Sequence, residues 1–97
     1  MDNYYKNSYK KFLDGWGYDA QSLMCIEEMS ELTKALCKYK RFGKEKASDE
    51  IKQNILEEIA DVLNTVEQMK YYFGEEEVEK IRKEKIERAL KKLECKK

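Results

Sequence analysis

The chain predicts an all-α fold, and three observations carry that prediction. It has no proline among 97 residues, so nothing forces a break inside a long helix. Apolar residues recur at intervals of three and four over three long stretches, the spacing of one helix face. Its four glycines fall between those stretches, where helices end. The expected architecture is an antiparallel helical bundle of about four helices, in one domain over residues 1–97.

The first element is a short aromatic-rich helix over 3–14, with Tyr4, Tyr5, Tyr9, Phe12 and Leu13. Asp14-Gly15-Trp16-Gly17 breaks it. The second helix spans about 20–41, with Asp19 as its N-cap and Gly43 near its end. Its apolar stripe is Cys25, Met29, Leu32, Leu36 and Tyr39, with Leu23 and Ile26 at the edges. Met24, Glu28, Glu31 and Ala35 form the adjoining strip. A basic, polar connection with Lys44 and Lys46 follows, and Ser48 or Asp49 caps the third helix, about 49–73. There Ile51, Ile55, Ile59, Val62, Val66, Met69 and Phe73 make a core stripe. Asn54, Glu58, Asp61 and Thr65 line its flank. Gly74 ends that helix, and Glu75-Glu76-Glu77 suit the positive end of a fourth. The fourth runs to about 94 through Val78, Ile81, Ile86, Ala89, Leu90 and Leu93. Lys85 and Arg88 fall toward its apolar side, as candidates to enter an interior site.

Composition narrows the function. Charged residues make up 41% of the chain, yet Lys+Arg and Asp+Glu balance at 20 each. That balance argues against a binder of nucleic-acid polymers, which is usually clearly basic. There is no histidine, which removes the commonest general base and zinc ligand. Cys25, Cys37 and Cys95 are odd in number and lack a CxxC spacing. They read as reduced thiols of a cytoplasmic protein, with Cys25 and Cys37 as core filler. No apolar signal core or membrane span is expected. A chain this short buries a modest share of its surface, so partner subunits are an expected source of extra core.

The chemistry lies in two acidic groups. Glu27-Glu28-Met29-Ser30-Glu31 is followed, after 26 residues, by Glu58-Ile59-Ala60-Asp61. Each holds two carboxylates three positions apart, on one helix face. Antiparallel helices let Glu28, Glu31, Glu58 and Asp61 converge. Carboxylates that close repel one another unless a cation joins them. A hard, oxygen-preferring divalent ion is the simplest remedy.

The ordered set resembles the MazG-like family of all-α nucleoside triphosphate pyrophosphohydrolases. Glu27-Glu28-x-x-Glu31 and Glu58-x-x-Asp61 match its paired acidic signature, with Trp16-Gly17 and Gln21 ahead of the first motif. Glu84-Lys85-Ile86-Glu87-Arg88 resembles its basic motif, so the likeness covers roughly residues 16–94. It implies hydrolysis of (d)NTPs to the monophosphate and pyrophosphate, as in clearing aberrant nucleotides. It implies Mg²⁺, with Mn²⁺ as a substitute, on Glu28, Glu31, Glu58 and Asp61. One acidic residue, for example Glu28 or Glu31, orients or deprotonates the attacking water; ligand and base are not separated by the spacing. Lys85 matches the phosphate-contacting lysine. The family's second basic residue stands four positions later, where this chain has Ala89; Arg88 is one residue earlier. Homodimers or homotetramers with a site built from more than one subunit are also implied.

A base pocket is a weaker expectation. Trp16 is placed to stack on a nucleobase, and Gln21 or Asn54 to read its edge. Lys38, Lys40, Arg41, Lys44 and Lys46 are candidates to guide a phosphorylated substrate, although loop charges are usually only solvated. The tyrosines at 4, 5, 9, 71 and 72 read as packing rather than ligand contacts. The competing reading is a non-catalytic helical oligomerisation module, in which the same carboxylates are ordinary surface residues. A di-iron bundle would call for Glu-x-x-His pairs, which the chain lacks.

Overall fold

A computed structural model describes residues 2–43 and 48–95 as four helices: α1 (Asp2–Trp16), α2 (Tyr18–Phe42), α3 (Asp49–Phe73) and α4 (Glu75–Cys95). No strand occurs among the described residues. Lys44 and Lys46 lie outside them. The break between α1 and α2 is narrower than the sequence predicts. Gly15 and Trp16 continue α1, and Gly17 alone makes the turn at φ 90°. Space is open around Gly17, so it is the left-handed backbone that calls for glycine there. Asp19 is therefore not the cap; it sits in the first turn of α2, and Gly17 holds the cap position without a side-chain bond. Ser48 does cap α3, its Oγ accepting from the Ile51 amide at 3.2 Å. Gly74, at φ 145°, separates α3 from α4, whose first turn carries Glu75, Glu76 and Glu77 as expected.

The centre of the molecule is an antiparallel hairpin of α2 and α3. Its rungs run from Tyr18 stacked on Tyr72, through Gln21 bonded to Gln68, to Glu28 beside Asp61. The buried or half-buried positions of α2 include 21, 25, 28, 32, 35 and 39. Those of α3 include 51, 55, 58, 62, 65 and 69. Both series alternate steps of four and three, the seam of two interlocking helices.

This seam corrects the predicted stripes. Cys25, Leu32 and Tyr39 lie on it, but Met29 and Leu36 are exposed, and Glu28 and Ala35 take the inward positions. On α3, Ile59, Val66 and Phe73 are exposed, and Glu58 and Thr65 take the places of the first two. Cys37 is also exposed rather than core filler. The predicted and observed stripes have the same period and share alternate positions; their centres differ by a rotation of roughly 40° at 100° per residue. Apolarity alone does not fix that rotation, because polar side chains with partners also enter a seam. Gln21 and Gln68 are each only 2% exposed, and Gln21 Nε2 donates to Gln68 Oε1 at 2.7 Å. Gln68 Nε2 donates in turn to the Asn64 carbonyl at 3.1 Å, and Thr65 Oγ1 to those of Asp61 and Val62.

The other two helices are attached to this hairpin differently. Tyr9, buried on α1, donates its hydroxyl to Asn64 Oδ1 at 2.9 Å. α4 meets α3 near its start: Lys70 Nζ lies 2.9 Å from Glu79, which also pairs with Arg82 at 2.7 Å. Beyond Val78, every described residue of α4 is exposed. The radius of gyration, 16.7 Å, exceeds the ~12–13 Å of a compact chain of this length. Among the described residues no large side chain is fully buried.

Candidate metal centre

Antiparallel pairing brings three of the four expected carboxylates together. One oxygen each from Glu28, Glu58 and Asp61 lie within 4.8 Å of one another. Glu28 enters from α2, and Glu58 and Asp61 from successive turns of α3. Glu28 and Glu58 are half-buried on the seam, and Asp61 is exposed at its edge. Glu31 is the fourth expected residue. It is exposed one turn along α2, where Lys34 approaches its Oε1 at 3.5 Å.

The electrostatics of the trio are unfavourable as they stand. Burial raises the Glu28 carboxyl above its usual range, and the charges of Asp61 and Glu58, a hydrogen bond with Asp61 and the charge of Glu31 act in the same direction. Burial also raises Glu58, helped by the charges of Asp61, Glu31 and Glu57. Glu58 Oε2 is buried without a hydrogen-bond partner. Among the described residues, no lysine or arginine forms an ion pair with any of the three. A buried acceptor without a donor is uncommon and calls for a reason. The donor set is all oxygen, which suits Mg²⁺ or Mn²⁺ and not a soft metal. Glu28, Glu58 and Asp61 therefore form a set that could hold a hard divalent cation.

The remaining expected residues stand apart from this trio. Gln21 is committed to Gln68 inside the hairpin, so its amide serves packing rather than base reading. Trp16 ends α1, largely exposed and stacked on Phe12 with ring centroids 5.2 Å apart. Asn54 is exposed one turn before Glu58. Lys85 and Arg88 lie on the exposed length of α4. Lys38, Lys40 and Arg41 are exposed at the end of α2; helical spacing puts Lys34 and Lys38 near the Glu31 side.

The sequence reading missed a second concavity. An open groove of about 790 Å³ lies between α1, α3 and α4, lined by Tyr5, Tyr9, Tyr71, Lys70 and Arg82 among others. None of the trio lines it. Lys70 is held there by Glu67 at 2.7 Å and Glu79 at 2.9 Å. Its signal in the sequence is faint, because the ion pair that closes it joins residues of two helices across Gly74. No protein-family model, curated protein or solved structure matches the chain, and the MazG-like resemblance rests on the residues alone.

Proposed function

We propose that the protein is a Mg²⁺-dependent nucleotide pyrophosphohydrolase of MazG-like type, releasing pyrophosphate from a (d)NTP. One observation carries this reading. Three carboxylates from two helices converge within 4.8 Å, and one buried oxygen among them has no partner. A structural role gives no reason to gather such charge on a helix seam, where apolar side chains would pack better.

Glu28, Glu58 and Asp61 would hold the ion. When bound, it supplies charge neutralisation of the triphosphate and acidifies a water. The chain's own groups do the rest. Glu31 stands near enough to raise the Glu58 carboxyl and takes the role of orienting or deprotonating the water. Lys34 and Lys38 stand toward the acidic side of α2, in reach of a leaving pyrophosphate. Lys85 and Arg88, the residues that the resemblance assigns to phosphate, are carried on α4. They reach a trio only if α4 is brought over one. The cytoplasmic setting belongs to the same proposal; no described helix is long and apolar enough to cross a membrane.

The test is a panel of (d)NTPs with Mg²⁺, assayed for pyrophosphate. Release from at least one nucleotide, lost on Glu58→Gln, is the expected result. Turnover retained in that variant rejects the assignment. The oligomerisation module remains the second reading, favoured by the exposed apolar residues on α2, α3 and α4. Calorimetry with Mn²⁺ and a non-hydrolysable nucleotide separates the two, since the module predicts no heat of binding.

A further inference from the structure

We infer that the groove between α1, α3 and α4 is a second binding site, and that its ligand is a short peptide with free termini and an aromatic side chain. At about 790 Å³ the groove has the size of a small-ligand site, and none of the acidic trio lines it. One wall is aromatic. Tyr5 and Tyr9 stand on successive turns of α1 with near-parallel rings, 18° apart in plane and 6.2 Å between centroids. Tyr71 joins them from α3. Such rings favour an aromatic side chain over an aliphatic one. The other wall is α4, which contributes Glu75 and Arg82. Two helical turns separate these opposite charges, so they share one face, about 10.5 Å apart along the axis.

The charges of the groove select a zwitterion. Among the described lining residues, Lys6, Lys70 and Arg82 balance Glu67, Glu75 and Glu79. Lys70 is held by Glu67 at 2.7 Å and Glu79 at 2.9 Å, so a phosphate entering there would meet two carboxylates. That sets the groove's ligand apart from the triphosphate proposed for the trio. Binding capacity lies at the two ends. The Arg82 guanidinium donates one N–H to Glu79 and has further donors in its planar fork for a terminal carboxylate. The Glu75 carboxylate meets Lys6 Nζ at 2.9 Å and has further lone pairs for a terminal ammonium. An extended chain reaches at most ~3.3–3.6 Å per residue, so about three residues span from Glu75 to Arg82 and a single amino acid does not. Between the ends, Asn64 Oδ1 accepts from Tyr9, which turns the Asn64 amide N–H groups to the role of donors for a peptide carbonyl. A much longer segment is refused, because the Lys6–Glu75 pair ties α1 to α4. This inference does not depend on the catalytic reading.

Titration calorimetry of the full chain with the tripeptide Gly-Phe-Gly is the test. A Kd on the order of 0.1 mM is expected. Gly-Leu-Gly, without the ring, should bind at least ~5-fold more weakly. Free phenylalanine, and Gly-Phe-Gly blocked at both termini, should each bind at least ~10-fold more weakly. Arg82→Gln should cost the free tripeptide about tenfold and leave the affinity of its C-terminal amide unchanged, which marks the end that Arg82 holds. Tyr5→Leu should abolish the preference for phenylalanine over leucine. Both residues are exposed, so circular dichroism should show both variants still helical. Glu58→Gln should bind the tripeptide as the wild type does, so the groove and the catalytic reading fail separately. No heat with wild-type protein up to about 5 mM Gly-Phe-Gly overturns the inference. So does equal affinity for the blocked peptide, or displacement of the tripeptide by inorganic pyrophosphate.

Discussion

The two sides of the α2–α3 hairpin are built from the same two helices and do opposite things. One side carries Ile26, Met29, Leu56 and Ile59, exposed and without charge. The other carries Glu28, Glu31, Glu58 and Asp61, with the first and third drawn into the seam. Only one residue separates Glu28 from Met29, or Glu58 from Ile59, yet that step turns a side chain by about 100°. The apolar side loses free energy by remaining wet. The acidic side loses it by holding like charges together, which is why burial and neighbours raise Glu28 and Glu58. Each side carries its own unfavourable feature: wet apolar surface on one, unneutralised like charge on the other.

The largest effect should come from breaking the acidic side. Asp61→Asn is expected to lower pyrophosphate release by on the order of 10³-fold, as loss of a metal-binding carboxylate removes several kcal/mol of charge stabilisation. A variant that turns over normally would place the chemistry elsewhere. Glu28→Leu tests the same carboxylates from the stability side. It makes the seam apolar at a half-buried position, so it should raise the melting temperature of the metal-free protein by roughly 5 °C while abolishing Mn²⁺ binding. Unchanged melting would mean that Glu28 costs the fold nothing.

pH gives a smaller effect with a definite sign. Glu28 and Glu58 are raised in the folded chain, so between the unfolded and folded values the native state holds more protons than the unfolded one. Their stabilising contribution is present at lower pH and is lost as pH rises through the folded values. Without divalent ions, melting followed as pH rises above the ordinary carboxylate range should therefore show stability falling. Saturating Mg²⁺ or Mn²⁺ should reduce or reverse the slope, because the ion binds the deprotonated carboxylates. A stability that rises over this range without metal would contradict the arrangement of the trio. The smallest expected change sharpens the comparison most. Ile26→Lys should leave Mn²⁺ affinity within about twofold of the wild type by titration calorimetry, well below the tenfold that ~1.4 kcal/mol would produce. A large loss would show that the two sides act as one site.

Much of this was legible in the residues. The absence of proline, the glycine breaks and the period of the apolar positions give four helices with ends close to those observed. The acidic spacing gives Glu28, Glu58 and Asp61 as neighbours once α2 and α3 run antiparallel. Three points were not legible. Ser48 as a cap follows from its hydroxyl, but Asp19 has the same chemistry and loses to Gly17, whose backbone makes the turn. Gln21 was expected to read a base edge and Gln68 had no expected role, yet they satisfy each other across the seam. Tyr9 was read as packing and is buried, but nothing in the spacing showed the bond to Asn64 that ties α1 to α3.

Helix content, helix order and the two sets of side chains were thus determined by local spacing, because a helix repeats every 3.6 residues whatever surrounds it. Tertiary structure decided which stripe faces inward. Rotation about a helix axis costs the backbone nothing, and it is settled by the partners that buried groups find across the seam. Here glutamine met glutamine and glutamate met aspartate, and an apolar stripe of equal period was left facing out.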